Sequence, residues 1–304
     1  MRVIMLGSGH RGTGKSFLTA HLGLALARLG INTYVADFDF RSADLHLMLG
    51  VFDACQRNLR DYLDGRCHSL LDVTRPAPGS EHLRIVPASD ETIRASSFDA
   101  ETVQRIRKDL SELPGDIVLV DLEAGIDNSL IDLFLMGDDQ WVVARREPES
   151  LKQAAGLLRR ARLRLATRGP GAGSVTRPRV YTSLDDLVRD MSALKAESDG
   201  LEGAMGRRAL LLNRCRADAP GDPDQWLEGL LDAGDEAGSL PVIAEVPEDR
   251  RTPTGLDSVP AVARARDAGP AVRSIRQLAE AVAADVKGRV SRPELSALTQ
   301  PIPV

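Results

Sequence analysis

The sequence predicts an α/β domain in which a mostly parallel, twisted sheet carries helices on both faces. Three observations predict it. The first 37 residues read as strand, loop, helix and strand, the unit that joins two parallel strands through a crossover helix. Seven runs have strand character and are separated mostly by helical patterns. Several of them are continuously apolar, as strands buried on both faces are.

Taken in order, Arg2 to Leu6 is the first apolar run and ends in Gly7-Ser8-Gly9. Phe17 to Leu29 then places Leu18, Leu22, Ala25 and Leu29 on one helical face, which predicts an amphipathic helix stopped by Gly30. Ile31 to Ala36 reads as a strand running into acid. Further strands are expected at Leu83 to Pro87, Ile117 to Val120, Gln140 to Ala144, Ala209 to Leu212 and Val242 to Val246. Two segments break this rhythm. The Gly-Pro-Gly-Ala-Gly signal at 169–173, followed by a helix expected over Ser183 to Lys195, marks an insertion at about 165–207. The end of the chain, 288–304, is rich in proline and reads as a flexible tail. A single domain over 1–287 is therefore expected, although the length alone also admits two.

Composition excludes several classes. The 304 residues carry 39 basic and 44 acidic side chains, a net charge of −5, with 43% hydrophobic and 27% charged residues, an ordinary globular balance. No run approaches the ~18 apolar residues that span a bilayer, and the start lacks the layout of a signal peptide. The expected location is cytoplasmic, with any membrane or nucleoid association peripheral. Cys55, Cys67 and Cys215 are scattered and odd in number, which argues against disulfides, a zinc ribbon or a structural metal. Between 151 and 179 eight basic residues (Lys152, Arg159, Arg160, Arg162, Arg164, Arg168, Arg177 and Arg179) meet no acid. Such a stretch either contacts DNA, an anionic membrane or an acidic protein, or is the solvated face of a helix.

The most specific signal is Gly9-His10-Arg11-Gly12-Thr13-Gly14-Lys15-Ser16, which satisfies GxxxxGK[ST] between the first strand and the first helix. Backbone N–H groups of this loop and the positive end of the helix suit phosphate oxygens. Lys15 would reach the outer phosphates and Ser16 would hold Mg²⁺. A second acid is needed beside that metal, and Asp121, after the apolar run from Ile117, stands where a Walker B acid does.

The stretch Asp37-Phe38-Asp39-Phe40-Arg41-Ser42-Ala43-Asp44-Leu45-His46-Leu47-Met48-Leu49-Gly50 resembles the first switch of the MinD/ParA/FlhG family of P-loop ATPases. Ile85-Val86-Pro87-Ala88-Ser89, Asp121 with Ala124-Gly125-Ile126, Glu147-Pro148-Glu149-Ser150, Leu212-Asn213-Arg214 and Val246-Pro247-Glu248-Asp249 are similar to further family markers, in the same order. The resemblance covers about 1–164 and 208–285 and is closest to the MinD and FlhG branch. It implies a P-loop NTPase fold and binding of ATP or ADP with Mg²⁺. Gly9, Gly12, Thr13, Gly14 and Lys15 would clasp the phosphates, and Ser16, Asp121 and Asp39 would serve the metal. Asp39 would also orient the attacking water, Gly125 would approach the γ-phosphate and Asn213 would read adenine. Asp37 and Asp39 capping the next turn, and Asn213 forming a strand-end Asx turn, are the structural alternatives.

Two departures bear on activity. The family's signature lysine, which crosses a dimer interface, is replaced by His10, followed by Arg11 where a glycine is usual. Either Arg11 supplies the missing charge or the loop works without it. Leu122 and Glu123 stand where the family often has a hydroxyl and a small residue, so slow hydrolysis is expected. A MinD-type terminal amphipathic helix is also not expected, because Gly288 and Pro293 interrupt 286–293.

The leading functional expectation is an ATP-dependent dimerising switch ATPase used in spatial positioning, at a division site, a flagellum, a chromosome or other cargo, acting with a protein partner. The alternative is a nucleotide-binding scaffold with weak or no hydrolysis. An autokinase would need a terminal tyrosine cluster, whereas the tyrosines are Tyr34, Tyr62 and Tyr181.

Overall fold

A computed structural model describes residues 1–52, 57–88, 98–168, 206–216, 240–249 and 269–288. Its strands are β1 (Arg2–Gly7), β2 (Thr33–Phe38), β3 (Arg75–Pro76), β4 (Leu83–Val86), β5 (Ile117–Leu122), β6 (Asp139–Arg145), β7 (Arg207–Cys215) and β8 (Val242–Pro247). They form one sheet in the order β3-β4-β2-β5-β1-β6-β7-β8. Every neighbouring pair is parallel except β3 with β4. All seven expected strands are present. The eighth, β3, has two residues and ends in Pro76; so short an edge strand has no periodicity for a sequence to display.

The helices are α1 (Lys15–Arg28), α2 (Leu45–Met48), α3 (Leu59–Leu63), α4 (Ala100–Glu112), α5 (Asn128–Leu135), α6 (Pro148–Arg168) and α7 (Pro270–Lys287). Alternation within β1 sorts them into two layers. Val3 and Met5 face a core shared with residues of α3, α4, α5 and α6, while Ile4 and Leu6 face one shared with α1 and α7. Helices thus cover both faces of the sheet, as a parallel sheet requires.

Helix α1 departs from expectation. Leu18 through Ala27 are all buried, because the helix is sandwiched between the sheet and α7, so it has no polar face. Leu29, placed by periodicity on the core face, is exposed, because it is the C-cap and the chain is already leaving the helix. The stop at Gly30 is as expected: its φ is +75°, and the N–H groups of Gly30 and Ile31 return to the carbonyls of Ala27 and Leu26 at 3.0 and 3.2 Å.

The all-round burial of α1 encloses His21, 2% exposed, whose two ring nitrogens have no hydrogen-bond partner among the described residues. Burial, and secondarily the charge of Arg276, pushes its pKa down from 6.5 to about 4. The folded state therefore refuses a proton that the unfolded chain accepts, and stability is lost as pH falls from 6.5 towards 4. His21→Leu is expected to gain about 1 kcal/mol at pH 7.5 and about 3 kcal/mol more near pH 4, read by urea denaturation at both pH values. An equal gain at both would contradict this account.

The basic stretch divides. Arg164 of α6 makes two 2.8 Å bonds to Asp132 of α5, which is helix-to-helix attachment. Lys152, Arg159 and Arg160 are exposed and Arg162 is half-buried. Arg177 and Arg179, most of the 165–207 insertion, the expected 183–195 helix and the tail beyond 288 lie outside the described residues. Cys67 and Cys215 are buried free thiols, and burial pushes Cys215 up to about 12. Among the described residues no helix is long and apolar enough to cross a membrane.

Candidate functional site

The C-terminal ends of the central strands converge on one cleft of about 750 Å³, where open α/β sheets place their ligands. Arg11, Gly12, Thr13, Gly14, Lys15, Ser16, Asp39 and Asn213 line it. Gly9, His10, Asp121 and Gly125 surround these residues without forming its wall. Pro247, Glu248 and Ala271 also contribute to the wall. Ala271, at the start of α7, carries no sequence signal for this, since nothing local links it to a loop 255 positions earlier.

The loop from Gly9 to Ser16 is shaped by two left-handed glycines, Gly12 (φ +81°) and Gly14 (φ +85°). Gly14 is required twice over, because a Cβ there would stand 2.2 Å from Nδ2 of Asn213. That amide donates to the Thr13 carbonyl at 2.8 Å, so β7 holds the loop from across the cleft. A bulge between Asn213 and Cys215 aims it: Arg214 adopts φ +52°, and its N–H donates to Oδ1 of Asn213 at 2.9 Å. Asn213 is therefore both at the cleft and in a local turn, so the two readings of it are not exclusive.

On the other side the loop presses on α6. A Cβ on Gly9 would lie 2.2 Å from the Gln153 carbonyl oxygen, leaving room only for glycine. His10 turns its ring onto its own chain. Nδ1 lies 2.6 Å from the Arg11 carbonyl and Nε2 lies 2.8 Å from Oγ of Ser150. Since Ser150 already accepts the Arg145 N–H, its hydroxyl proton is available to Nε2, and Nδ1 carries the imidazole proton. Arg11 is exposed on the cleft rim. Ser150 as the partner of His10 escapes sequence reasoning, because 140 residues separate the two.

Beneath the loop three carboxylates gather. Asp37 and Asp121 sit side by side in the β2–β5 register, and Asp39 follows on the same loop. Asp37 is fully buried; its oxygens accept the N–H groups of Asp39 and Leu45 at 3.1 and 3.3 Å, so it anchors the turn into α2. Burial first, and the charge of Asp121 next, raise its pKa well above the usual carboxylate range. Asp39 accepts the N–H groups of Arg41 and Ser42 through Oδ1, both at 3.2 Å. Turn capping thus applies to both acids, and Asp39 in addition faces the cleft.

Asp121 differs from its neighbours. It is fully buried and neither oxygen has a hydrogen-bond partner among the described residues. Burial raises its pKa to about 6; the ammonium of Lys15 opposes this, as does the Ser16 hydroxyl, which is close without the alignment of a hydrogen bond. An unpaired buried carboxylate beside a serine hydroxyl is a set of hard oxygen donors, which suits Mg²⁺. Without metal the arrangement costs stability. A raised carboxyl pKa means a contribution present below 3.8 and lost as pH rises through about 6. In nucleotide-free protein with chelator, Asp121→Asn is expected to gain about 1–3 kcal/mol at pH 7.5 and little at pH 4, by thermal or urea denaturation.

The loop after β5 carries Glu123 and Gly125. Gly125 is tied to the phosphate loop through its N–H to the Ser8 carbonyl at 3.1 Å. Glu123 is nearly buried and ion-paired with Arg41. Burial pushes its carboxyl up, against the pull of Arg41. Arg41, inside the first-switch resemblance, has no functional signal of its own in the sequence.

Comparison with known proteins gives the family and the fold. The family model described as the CobQ/CobB/MinD/ParA nucleotide binding domain matches residues 4–258. The antiactivator FleN of Pseudomonas aeruginosa is 32% identical over 162 residues, 52% of this chain and 56% of that protein. The chain thus spans just over half the length of the curated relatives it matches. In fold it is similar to the septum site-determining protein MinD of Pyrococcus horikoshii, complexed with Mg-ADP (TM-score 0.61, 21% identity, 99% of each chain). It is also similar to a chain of the MinC:MinD cell division protein complex of Aquifex aeolicus (TM-score 0.65, 19% identity, 96% and 98% of the chains). With its phosphate loop, converging carboxylates and sheet order all in place, this chain belongs to the MinD/ParA family of nucleotide-binding domains.

Proposed function

We propose that the chain is an ATP-dependent switch that dimerises on ATP and releases on hydrolysis, used to place a division site, a flagellum, a chromosome or other cargo. The observation that carries this reading is the buried, unpaired Asp121 beneath a complete phosphate loop. Lys15 and the N–H groups from Gly12 to Ser16 would hold ATP, Asn213 would keep the loop in its binding shape and meet adenine, and Ser16 and Asp121 would hold Mg²⁺, with Asp39 near it. The metal, when bound, neutralises charge on the phosphate oxygens. Asp39, pinned through one oxygen by the Arg41 and Ser42 N–H groups, would use the other to orient water for the γ-phosphate. Gly125 would bring a main-chain N–H loop close to that phosphate. Names of relatives support a positioning role, FleN as an antiactivator and MinD as a septum-site determinant. The MinC:MinD complex supports a protein partner, and the exposed cations of α6 support an anionic one.

Size-exclusion with light scattering, run with ATP and with ADP beside a phosphate-release assay, tests this. A dimer with ATP alone, with phosphate release, supports the switch; a monomer in both sinks it. The inward turn of His10 and the Glu123–Arg41 pair favour a second reading, a nucleotide-binding scaffold with weak or no turnover. Nucleotide binding without phosphate release would select that one.

A further inference from the structure

Glu123 is a charge that the proposed chemistry does not use. It is 7% exposed, directly after β5 and two residues before Gly125, whose N–H is tied to the phosphate loop. Its ion-pair partner Arg41 belongs to a different loop, the one after β2, and the Arg41 side chain is half exposed. Asp39 and Arg11, both on the cleft wall, are near enough to act on its charge. A desolvated carboxylate thus stands behind the wall of a site built for a polyanion, next to wall residues Asp39 and Arg11.

Its effect depends on how many phosphates are present. The loop amides take the inner phosphates and the lysine reaches the outer ones; because Lys15 is close to Asp121 of β5, and Asp39 after β2 is on the cleft wall, the third phosphate comes nearest the loops after β2 and β5. That phosphate adds negative charge beside Glu123 and offers Arg41 a bidentate acceptor that competes with the carboxylate. A diphosphate does neither. We propose that Glu123 is a specificity-determining residue that biases this site toward nucleoside diphosphate, and that Arg41 passes from Glu123 to the third phosphate when a triphosphate binds. The inference rests on the nucleotide-binding reading above and adds which nucleotide state these two loops favour.

Calorimetry with Mg-ADP and with the Mg²⁺ complex of a non-hydrolysable ATP analogue tests it on the full chain. Glu123→Gln is expected to raise the ratio of triphosphate to diphosphate affinity about tenfold, with ADP affinity changed less than about twofold. Glu123→Asp, which keeps the charge, should retain the wild-type ratio. Arg41→Gln should lower the ratio by about threefold or more, and should still lower it in the Glu123→Gln background, where the freed guanidinium serves the phosphate. A Glu123→Gln variant that binds ADP normally but shows no change in the ratio overturns the proposal, as does an equal change for both nucleotides. Failure of the wild type to bind either nucleotide would instead overturn the nucleotide-binding reading and this inference with it.

Discussion

Lys15→Ala is expected to lower affinity for Mg-ATP by about 30-fold to 5,000-fold, corresponding to the 2–5 kcal/mol that follows loss of one partner of a desolvated charge pair. Lys15 is 6% exposed at the first turn of α1, with the orphaned carboxylate of Asp121 close by. Its ammonium is thus held out of bulk water before any nucleotide arrives, and a phosphate gains a charge-assisted bond without the cost of drying the lysine. Removing it also takes away the cation that holds the Asp121 pKa down, so that carboxyl takes up a proton more readily and becomes a poorer oxygen donor for Mg²⁺. Lys15→Arg is not a rescue, because a wider planar fork does not reproduce a compact ammonium point charge at a position only 6% exposed. Calorimetry with Mg-ATP reads the result directly. A variant that binds within a factor of three of wild type would remove the phosphate loop from any account of this site.

Much of this site was legible because its parts are local. The phosphate loop lies within eight consecutive residues, and the acids that end β2 and β5 follow apolar runs that announce themselves as buried strands. The fold was legible for the same reason, since a strand buried on both faces needs an unbroken apolar run. What escaped is what depends on distant partners. Asn213 holding Thr13, Ser150 meeting His10 and Arg41 pairing with Glu123 are contacts between segments brought together only when the sheet order β2-β5-β1-β6-β7 is set. The misreading of α1 has a related cause. Periodicity reports one buried face, and a helix later covered by α7 shows no second face until the end of the chain has folded onto it.

The far end of the sheet shows the same long-range dependence and yields the largest expected effect on stability. Asp139→Ala is expected to cost about 3–5 kcal/mol. Arg2, Asp139 and Arg207 open β1, β6 and β7, three strands adjacent in the sheet, and Asp285 reaches them from the last turns of α7. Arg2 meets Asp139 through Nε at 2.5 Å and Nη2 at 3.0 Å, and Arg207 meets the same carboxylate at 2.9 Å. Asp285 pairs with Arg2 and, at 3.1 Å, with Arg207. Two cations and two anions thus close a neutral square in which Arg2 and Asp139 are 2% and 1% exposed. Assembling such a square gains little over an apolar packing, because desolvation cancels most of the attraction, but removing one corner leaves a buried guanidinium that cannot shed its proton. For a domain of this size the loss corresponds to a drop in Tm of about 10 °C. Asp285, more exposed at 16%, should cost less when replaced by Ala. Although burial opposes it, Arg2 and Arg207 hold the Asp285 carboxyl below its ordinary 3.8, so its contribution is present above that pH and is lost as pH falls through the lowered value. Because the square lies at the N-terminal ends of the strands and the cleft at their C-terminal ends, Asp139→Ala should unfold at lower urea while binding Mg-ATP as wild type does below its transition. Unchanged urea midpoints for Asp139→Ala would mean that Asp285 alone satisfies both arginines and that the square is not a cooperative unit.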